Sequence, residues 1–403
     1  MLKISRLTVE NMETGCVTDN PQPRVSYCLE SDRQNVTLKK AVISIGDWKK
    51  ETDCQIAVPY EGSRLQPFTK YAVRVEAEDD AGERAWASTE FETGRMDTIW
   101  SGRWITDGEY RFKEAKISPK TMTFRTRFSC EKEIVTALGI YELLLNGEKV
   151  GQDYFAPGFT SYRNQLQYQT YDVTDMLNDR NELLAVVGGG WAVGSFTYKR
   201  RNRVYAKRQA LLGELRILYT DGTGETIGTN EEWEVTEEGN YKETEFYNGE
   251  VYDATVDLEK ISWKKASFEQ VKIHPKIMAQ YGAPVRAHEE FRPVQITRAK
   301  SGMLIYDFGQ NFAGVIHAAI RGRQGQKVEF RHAEILMDGE LYTEPLRTAK
   351  QEAVYICKDG EQTYSPKMTY MGFRYVGVRG IEEDQLELTA LALYSDVEDN
   401  GNF

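Results

Sequence analysis

The chain has 403 residues, enough for two to four domains at about 100–200 residues each. Its 51 Lys and Arg stand against 62 Asp and Glu, a net charge of −11 that argues against nucleic acid or an anionic membrane surface as partner, since phosphate neutralisation needs surplus cations. Hydrophobic residues at 40% and charged residues at 28% fit globular domains rather than a disordered chain, and 11% aromatics favour β structure.

Residues 1 to about 95 form the first segment. Leu65-Gln66-Pro67-Phe68-Thr69-Lys70-Tyr71 looks like the corner of a fibronectin type III domain, with the Tyr ring packing across the turn. Tyr71, Val73 and Val75 then alternate with Ala72, Arg74 and Glu76, the period of a half-buried strand. Asp79-Asp80-Ala81-Gly82 is a turn, and Phe91-Glu92-Thr93-Gly94 closes the segment.

The middle segment, about 96–290, is rich in Gly and aromatics. Phe124, Thr126 and Phe128 alternate with Arg125 and Arg127, and Leu215, Ile217 and Tyr219 repeat the pattern. One short helix is expected near Thr174–Leu177, with Thr174 as its N-cap. Asp221-Gly222-Thr223-Gly224 marks a turn. The last segment, about 291–403, opens with Phe291-Arg292-Pro293. It carries turns at Met337-Asp338-Gly339 and Lys358-Asp359-Gly360, and a strand with Val376 and Val378 on one face. Short strands, frequent turns and almost no helical periodicity predict an all-β chain of consecutive antiparallel sandwiches.

The longest apolar run, Leu183–Val193, is far short of the roughly 20 residues that cross a bilayer as a helix. Met1–Thr8 lacks the apolar core of a signal peptide. Cys16, Cys28, Cys54, Cys130 and Cys357 are scattered and odd in number, which predicts free thiols and a cytoplasmic location. His274, His288, His317 and His332 share no metal-ligand spacing. No Gly-x-Ser-x-Gly elbow and no phosphate-cradling loop occurs.

Several ordered motifs carry a family resemblance. Tyr306-Asp307-Phe308-Gly309-Gln310-Asn311-Phe312-Ala313-Gly314 is followed by His332-Ala333-Glu334, then by Gly339-Glu340-Leu341-Tyr342-Thr343-Glu344-Pro345-Leu346-Arg347 and Tyr370-Met371-Gly372-Phe373-Arg374-Tyr375. Upstream lie Leu145-Asn146-Gly147, Pro157-Gly158-Phe159-Thr160-Ser161-Tyr162, Tyr168-Gln169-Thr170-Tyr171-Asp172-Val173-Thr174, Gly189-Gly190-Trp191 and Gly249-Glu250-Val251-Tyr252-Asp253-Ala254. Together they resemble the N-terminal half of bacterial α-L-rhamnosidases of glycoside hydrolase family 78, over essentially the whole chain. The resemblance implies three domains: a fibronectin type III-like sandwich at 1–95, a jelly-roll similar to carbohydrate-binding modules at 96–290, and a β-sandwich at 291–403 that precedes an (α/α)6 catalytic barrel. That barrel, with its acid and base carboxylates, is not represented in these residues.

The resemblance further implies a parent enzyme that removes terminal L-rhamnose from glycosides with inversion and without a cofactor. These residues alone would then hold no catalytic pair, and would buttress the barrel. A self-standing carbohydrate-binding protein is the alternative. An apolar patch left bare where the barrel belongs would favour a homodimer.

Sugar binding needs an aromatic plate and planar polar groups. Trp191, beside Gly188-Gly189-Gly190, is either such a plate or a core plug. Glu250 and Tyr252 share a strand face, with Asp253 opposite; they could bind hydroxyls or calcium, or serve packing. Asn164 sits where calcium-binding members have a polar pair, but its neighbour Arg163 would repel calcium, so no metal is expected. Tyr342 and Glu344, with Asp307, Gln310 and Asn311, are either structural or part of a loop reaching over the barrel's site.

Overall fold

A computed structural model of the chain describes residues 1–109, 117–128, 133–138, 140–195, 199–219 and 223–397. Cys130, the start of the turn expected at Asp221-Gly222 and the terminal Asp399–Phe403 lie outside the described residues. The fold is all-β, and the chain divides into two compact units.

The first unit comprises Met1–Trp100, Gln165–Thr170 and Lys276–Gly282. Within it, a three-stranded sheet (Leu2–Val9, Arg24–Ser31, Val58–Pro59) and a five-stranded sheet (Cys16–Thr18, Arg84–Thr93, Lys70–Asp79, Leu38–Ile45, Trp48–Thr52) share one core. Val73 and Val75 are wholly buried in it while Arg74 and Glu76 face water, as the alternation predicts. The corner before this strand is fixed by the Tyr71 hydroxyl, which accepts the Gln66 N–H at 2.8 Å, and by the Tyr71 ring stacked on Phe91. Asp79 closes the expected turn by accepting the N–H groups of Ala81 and Glu83.

Asp19 ties distant parts of this unit together. Its Oδ1 accepts the Met96 N–H at 2.7 Å and the Tyr168 hydroxyl at 2.9 Å, and its Oδ2 accepts the Ala279 N–H at 2.7 Å. Tyr168 in turn accepts the Arg95 N–H, and Arg95 lays its guanidinium over the Trp100 ring at 4.0 Å.

The second unit comprises Ser101–Asn164, Tyr171–Pro275 and Ala283–Phe403. Its first part packs a six-stranded sheet, built around Ile140–Leu145, Asn181–Gly188 and Met122–Phe128, against strands including Ala210–Leu218 and Ile105–Thr106. Phe124, Leu143, Leu183 and Val187 meet Ile105 and Leu211 between the layers. Its second part is a ten-stranded sheet dominated by one 19-residue strand, Leu304–Gly322. Two strands from the middle of the sequence, Tyr241–Glu245 and Gly249–Asp253, complete that sheet, so its hydrogen bonding extends upstream of residue 290.

The long strand is interrupted where alternation fails. Its register shifts between Asp307 and Phe312, and Gly309 adopts φ +82°. Asp307 holds this bulge by accepting the Gly309 N–H and a two-pronged pair from Arg374 at 2.8 and 2.9 Å. Arg374 keeps the Asp307 carboxyl below its usual range.

Two local expectations need correction. Thr174 begins a single 3-10 turn, Thr174–Met176, and does not cap it. Asp172 competes successfully, accepting both the N–H and the hydroxyl of Thr174 in an Asx-type turn. The antiparallel expectation also has exceptions: Cys16–Thr18 with Arg84–Thr93, Gln165–Tyr171 with Lys276–Ala279, and Gly249–Asp253 with Glu352–Ile356 are parallel pairs. Each joins segments far apart in sequence, where no tight turn dictates direction.

The Asp19 junction generates a test. Asp19→Ala leaves three partly buried donors without their acceptor and is expected to lower unfolding stability by about 2–4 kcal/mol. Urea denaturation followed by tryptophan fluorescence measures it, and an unchanged midpoint refutes the role.

Candidate functional site

The candidate site is a row of aromatic rings in the second unit. Asn181–Gly188 ends in glycines, and the chain then makes a single helical turn, Gly190–Val193. Gly190 sits at φ +47°, and a Cβ on Gly189 would stand 2.7 Å from the Pro119 ring, so both positions need glycine. This tight turn carries Trp191. The ring is half-buried, 4.6 Å from Phe246 and 5.5 Å from Phe159. Phe246 continues to Tyr370 at 5.7 Å and Phe155 at 5.6 Å. Phe159 and Tyr370 stand 54% and 43% exposed, so one edge of the row faces solvent. Trp191 is therefore neither an isolated plate nor a core plug: it bridges a buried apolar cluster containing Phe155, Val186 and Val315 to that open edge.

Glu250 lies behind the row and is 1% exposed. Its Oε1 accepts the Tyr364 hydroxyl at 3.1 Å, and its Oε2 accepts the N–H groups of Lys367 at 3.0 Å and Met368 at 2.8 Å. Burial pushes its carboxyl up to about 7, against the pull of these donors, and Glu142 adds to the rise. Tyr241, Tyr252 and Tyr364 are packed around it, each with its phenol pushed up chiefly by burial. With its oxygens engaged and no exposed edge, Glu250 offers nothing to a sugar or a calcium ion. Its role is to hold the 364–368 segment against the strand Gly249–Asp253.

The other predicted residues separate. Tyr252 stacks on Tyr355 at 5.7 Å and packs on the core. Asp253 accepts the N–H and hydroxyl of Thr255. Asn164 is exposed, at the end of the turn that begins with Ser161. Tyr342 lies half-buried on the hairpin Ile335–Met337/Glu340–Tyr342, and Glu344 is exposed on the 3-10 turn that follows. Asn311 is exposed, and its amide donates to Glu334 Oε1 at 3.1 Å; Gln310 is also exposed. Among the described residues no group of three or more His, Cys, Asp or Glu could hold a metal ion.

Three family models match consecutive parts of the chain. They are the Rha78A-like N-terminal immunoglobulin domain at residues 4–97, the α-L-rhamnosidase N-terminal domain at 132–298 and the bacterial α-L-rhamnosidase concanavalin-like domain at 297–394. The chain carries the N-terminal β-domains of the α-L-rhamnosidase family. An α-L-rhamnosidase of Streptomyces avermitilis is 34% identical over 361 residues, covering 85% of this chain and 32% of that protein. One from Alteromonas sp. is 29% identical, covering 86% and 40%. The solved native rhamnosidase of Aspergillus terreus superposes with a TM-score of 0.89 at 28% identity, covering 99% of this chain and 50% of that one. The chain thus spans half or less of the length of these relatives.

In these rhamnosidase domains the rings that matter most escaped the sequence reading. Phe246 had no motif to mark it, and Phe159 and Tyr370 were visible only inside longer motifs. Nor did the sequence reveal that Tyr364, Lys367 and Met368 would receive Glu250.

The raised carboxyl of Glu250 has a measurable consequence. Between its unfolded value of 4.5 and the folded value of about 7, the folded state holds a proton that the unfolded state has released. Stability therefore falls as pH rises through that window and levels off above it, by up to about 3 kcal/mol. Glu250→Gln is expected to flatten this slope, read as melting temperature from pH 4.5 to 8; an undiminished slope in the variant rules Glu250 out as its source.

Proposed function

We propose that this chain is the non-catalytic β-region of an enzyme that hydrolyses terminal L-rhamnose from rhamnosides with inversion. Its domains, divided near residues 95 and 290, support an (α/α)6 catalytic domain. The observation that carries the reading is the order of the three matched domains, Ig-like, rhamnosidase N-terminal and concanavalin-like, along one chain. The fibronectin type III-like label for the first domain rests on the Gln66–Tyr71 corner. Glu250 itself takes no catalytic role in this reading: burial pushes its carboxyl up to about 7, as a general acid would need, but the side chain is sealed from solvent.

The aromatic row supports a sugar-binding role. Trp191, with the exposed Phe159 and Tyr370, offers ring faces to the apolar CH face of a pyranose. Rhamnose-containing glycosides are its ligands under this reading. Where no other domain covers the row, a homodimer through it is the expected state. Cys16, Cys28, Cys54 and Cys357 are free thiols, two of them exposed, which supports a cytoplasmic location.

The chain is expected to release no product from p-nitrophenyl α-L-rhamnoside, and hydrolysis above buffer would overturn the non-catalytic assignment. Calorimetric titration with L-rhamnose is expected to give saturable heat, weakened at least tenfold by Trp191→Ala. No heat at millimolar sugar would reduce the row to a packing surface for a neighbouring domain.

A further inference from the structure

A second concave site lies in the ten-stranded sheet, at the end where Leu304–Gly322 begins and Met371–Arg379 finishes. It is a cleft of about 500 Å³, in the range of small-ligand sites. Arg298, Arg323 and Arg379 line it, with Glu382 and the amides of Gln326 and Gln385. Glu382 is committed to Arg298, whose Nη2 donates to it at 3.1 Å. Glu329, opposite Arg379 in the register, is taken by Lys327 at 2.5 Å. Glu340 accepts the N–H and hydroxyl of Ser301, which hold its carboxyl below the usual range, and the nearby charges of Arg379 and Lys300 add to that lowering. Arg323 and Arg379 are both exposed, and among the described residues neither guanidinium has an acceptor.

Two guanidiniums without a hydrogen-bonded acceptor among the described residues therefore share a concave surface on a chain of net charge −11, with Glu340 near Arg379 as an opposing charge. Like charges so placed repel, and an anion between them relieves that repulsion. A planar carboxylate matches the guanidinium fork in two parallel hydrogen bonds. The cleft is larger than a single carboxylate needs; Gln326 is bonded within the fold to the Gly380 carbonyl and the Arg323 N–H, while the Ser301 hydroxyl and the Gln385 amide complete a polar lining that suits hydroxyl groups. We propose that this cleft binds a saccharide bearing a carboxylate, a uronic acid unit, with Arg323 and Arg379 holding the carboxylate. That the anion is carried on a sugar rests on the rhamnosidase reading; the anion site itself does not.

The test is titration of the full chain with D-glucuronate, methyl glucoside and sodium sulfate at constant ionic strength. Saturable binding of glucuronate is expected, with none for the neutral glucoside and at least tenfold weaker binding of sulfate. Arg323→Ala and Arg379→Ala should each weaken glucuronate about tenfold, and the double variant should abolish it. Both side chains are exposed and without a hydrogen-bonded acceptor, so unchanged circular dichroism and melting are expected as controls. No glucuronate binding, or binding unaffected by the double variant, overturns the proposal. Sulfate binding as tightly as glucuronate overturns its saccharide part. L-Rhamnose titrated into the same double variant reports separately on the Trp191 row, so loss of one reading is not mistaken for loss of the other.

Discussion

Burial of the Glu250 carboxyl is the constraint around which the second unit is arranged. A carboxyl removed from water must have its oxygens met by donors, or the fold forfeits more than any single contact returns. Here the donors are the Tyr364 hydroxyl and the backbone N–H groups of Lys367 and Met368. They lie at the end of the strand Gly360–Tyr364 and just beyond it, while Glu250 lies on a strand that pairs in parallel with Glu352–Ile356. Thr369 adds a hydroxyl bond to the Glu245 carbonyl. The chain leaving this clasp reaches Tyr370, whose ring meets Phe246 and Phe155. One sealed acid thus positions a residue at the open edge of the aromatic row without touching a ligand.

The same residue shows why a shifted titration is not by itself a mark of chemistry. A carboxyl raised to about 7 has the proton affinity that acid catalysis uses. Catalysis also requires reach to a substrate atom, and Glu250 has none. Its shift follows from desolvation incompletely offset by three donors, with Glu142 nearby. His332 repeats the lesson in the other direction: wholly buried, it is pushed down to about 4 and serves as a neutral ring against Phe373.

What the sequence made legible was periodic and local. Val73 and Val75 alternate with charged neighbours, and burial follows the alternation; Val376 and Val378 are buried as their spacing suggests, though Gly377 between them is buried as well. What it hid depends on distant partners. Alternation assigns Glu250 to a face but cannot say whether that face meets water or the 364–368 segment. Asp307–Asn311 broke the apolar pattern and is a bulge inside one long strand, which no local signal distinguishes from a loop. Trp191 left two readings open because its surroundings come from Phe159, Phe246 and the glycine turn, three separate stretches of chain. Thr174 misled because a neighbouring Asp172 was the stronger acceptor.

Net charge is the bluntest of these sequence quantities, and it describes the far field only. Beyond about 8 Å at physiological salt the acidic excess is largely screened, while within a cleft the nearest groups set the potential. The excess of −11 disfavours ligands that need many cations along an extended backbone. It places little restraint on a ligand with a single negative charge that meets, at close range, two guanidiniums no hydrogen-bonded acceptor holds. Summed repulsion from the whole chain thus counts against polyanions far more than against a small anion whose remaining surface is neutral and hydroxylated.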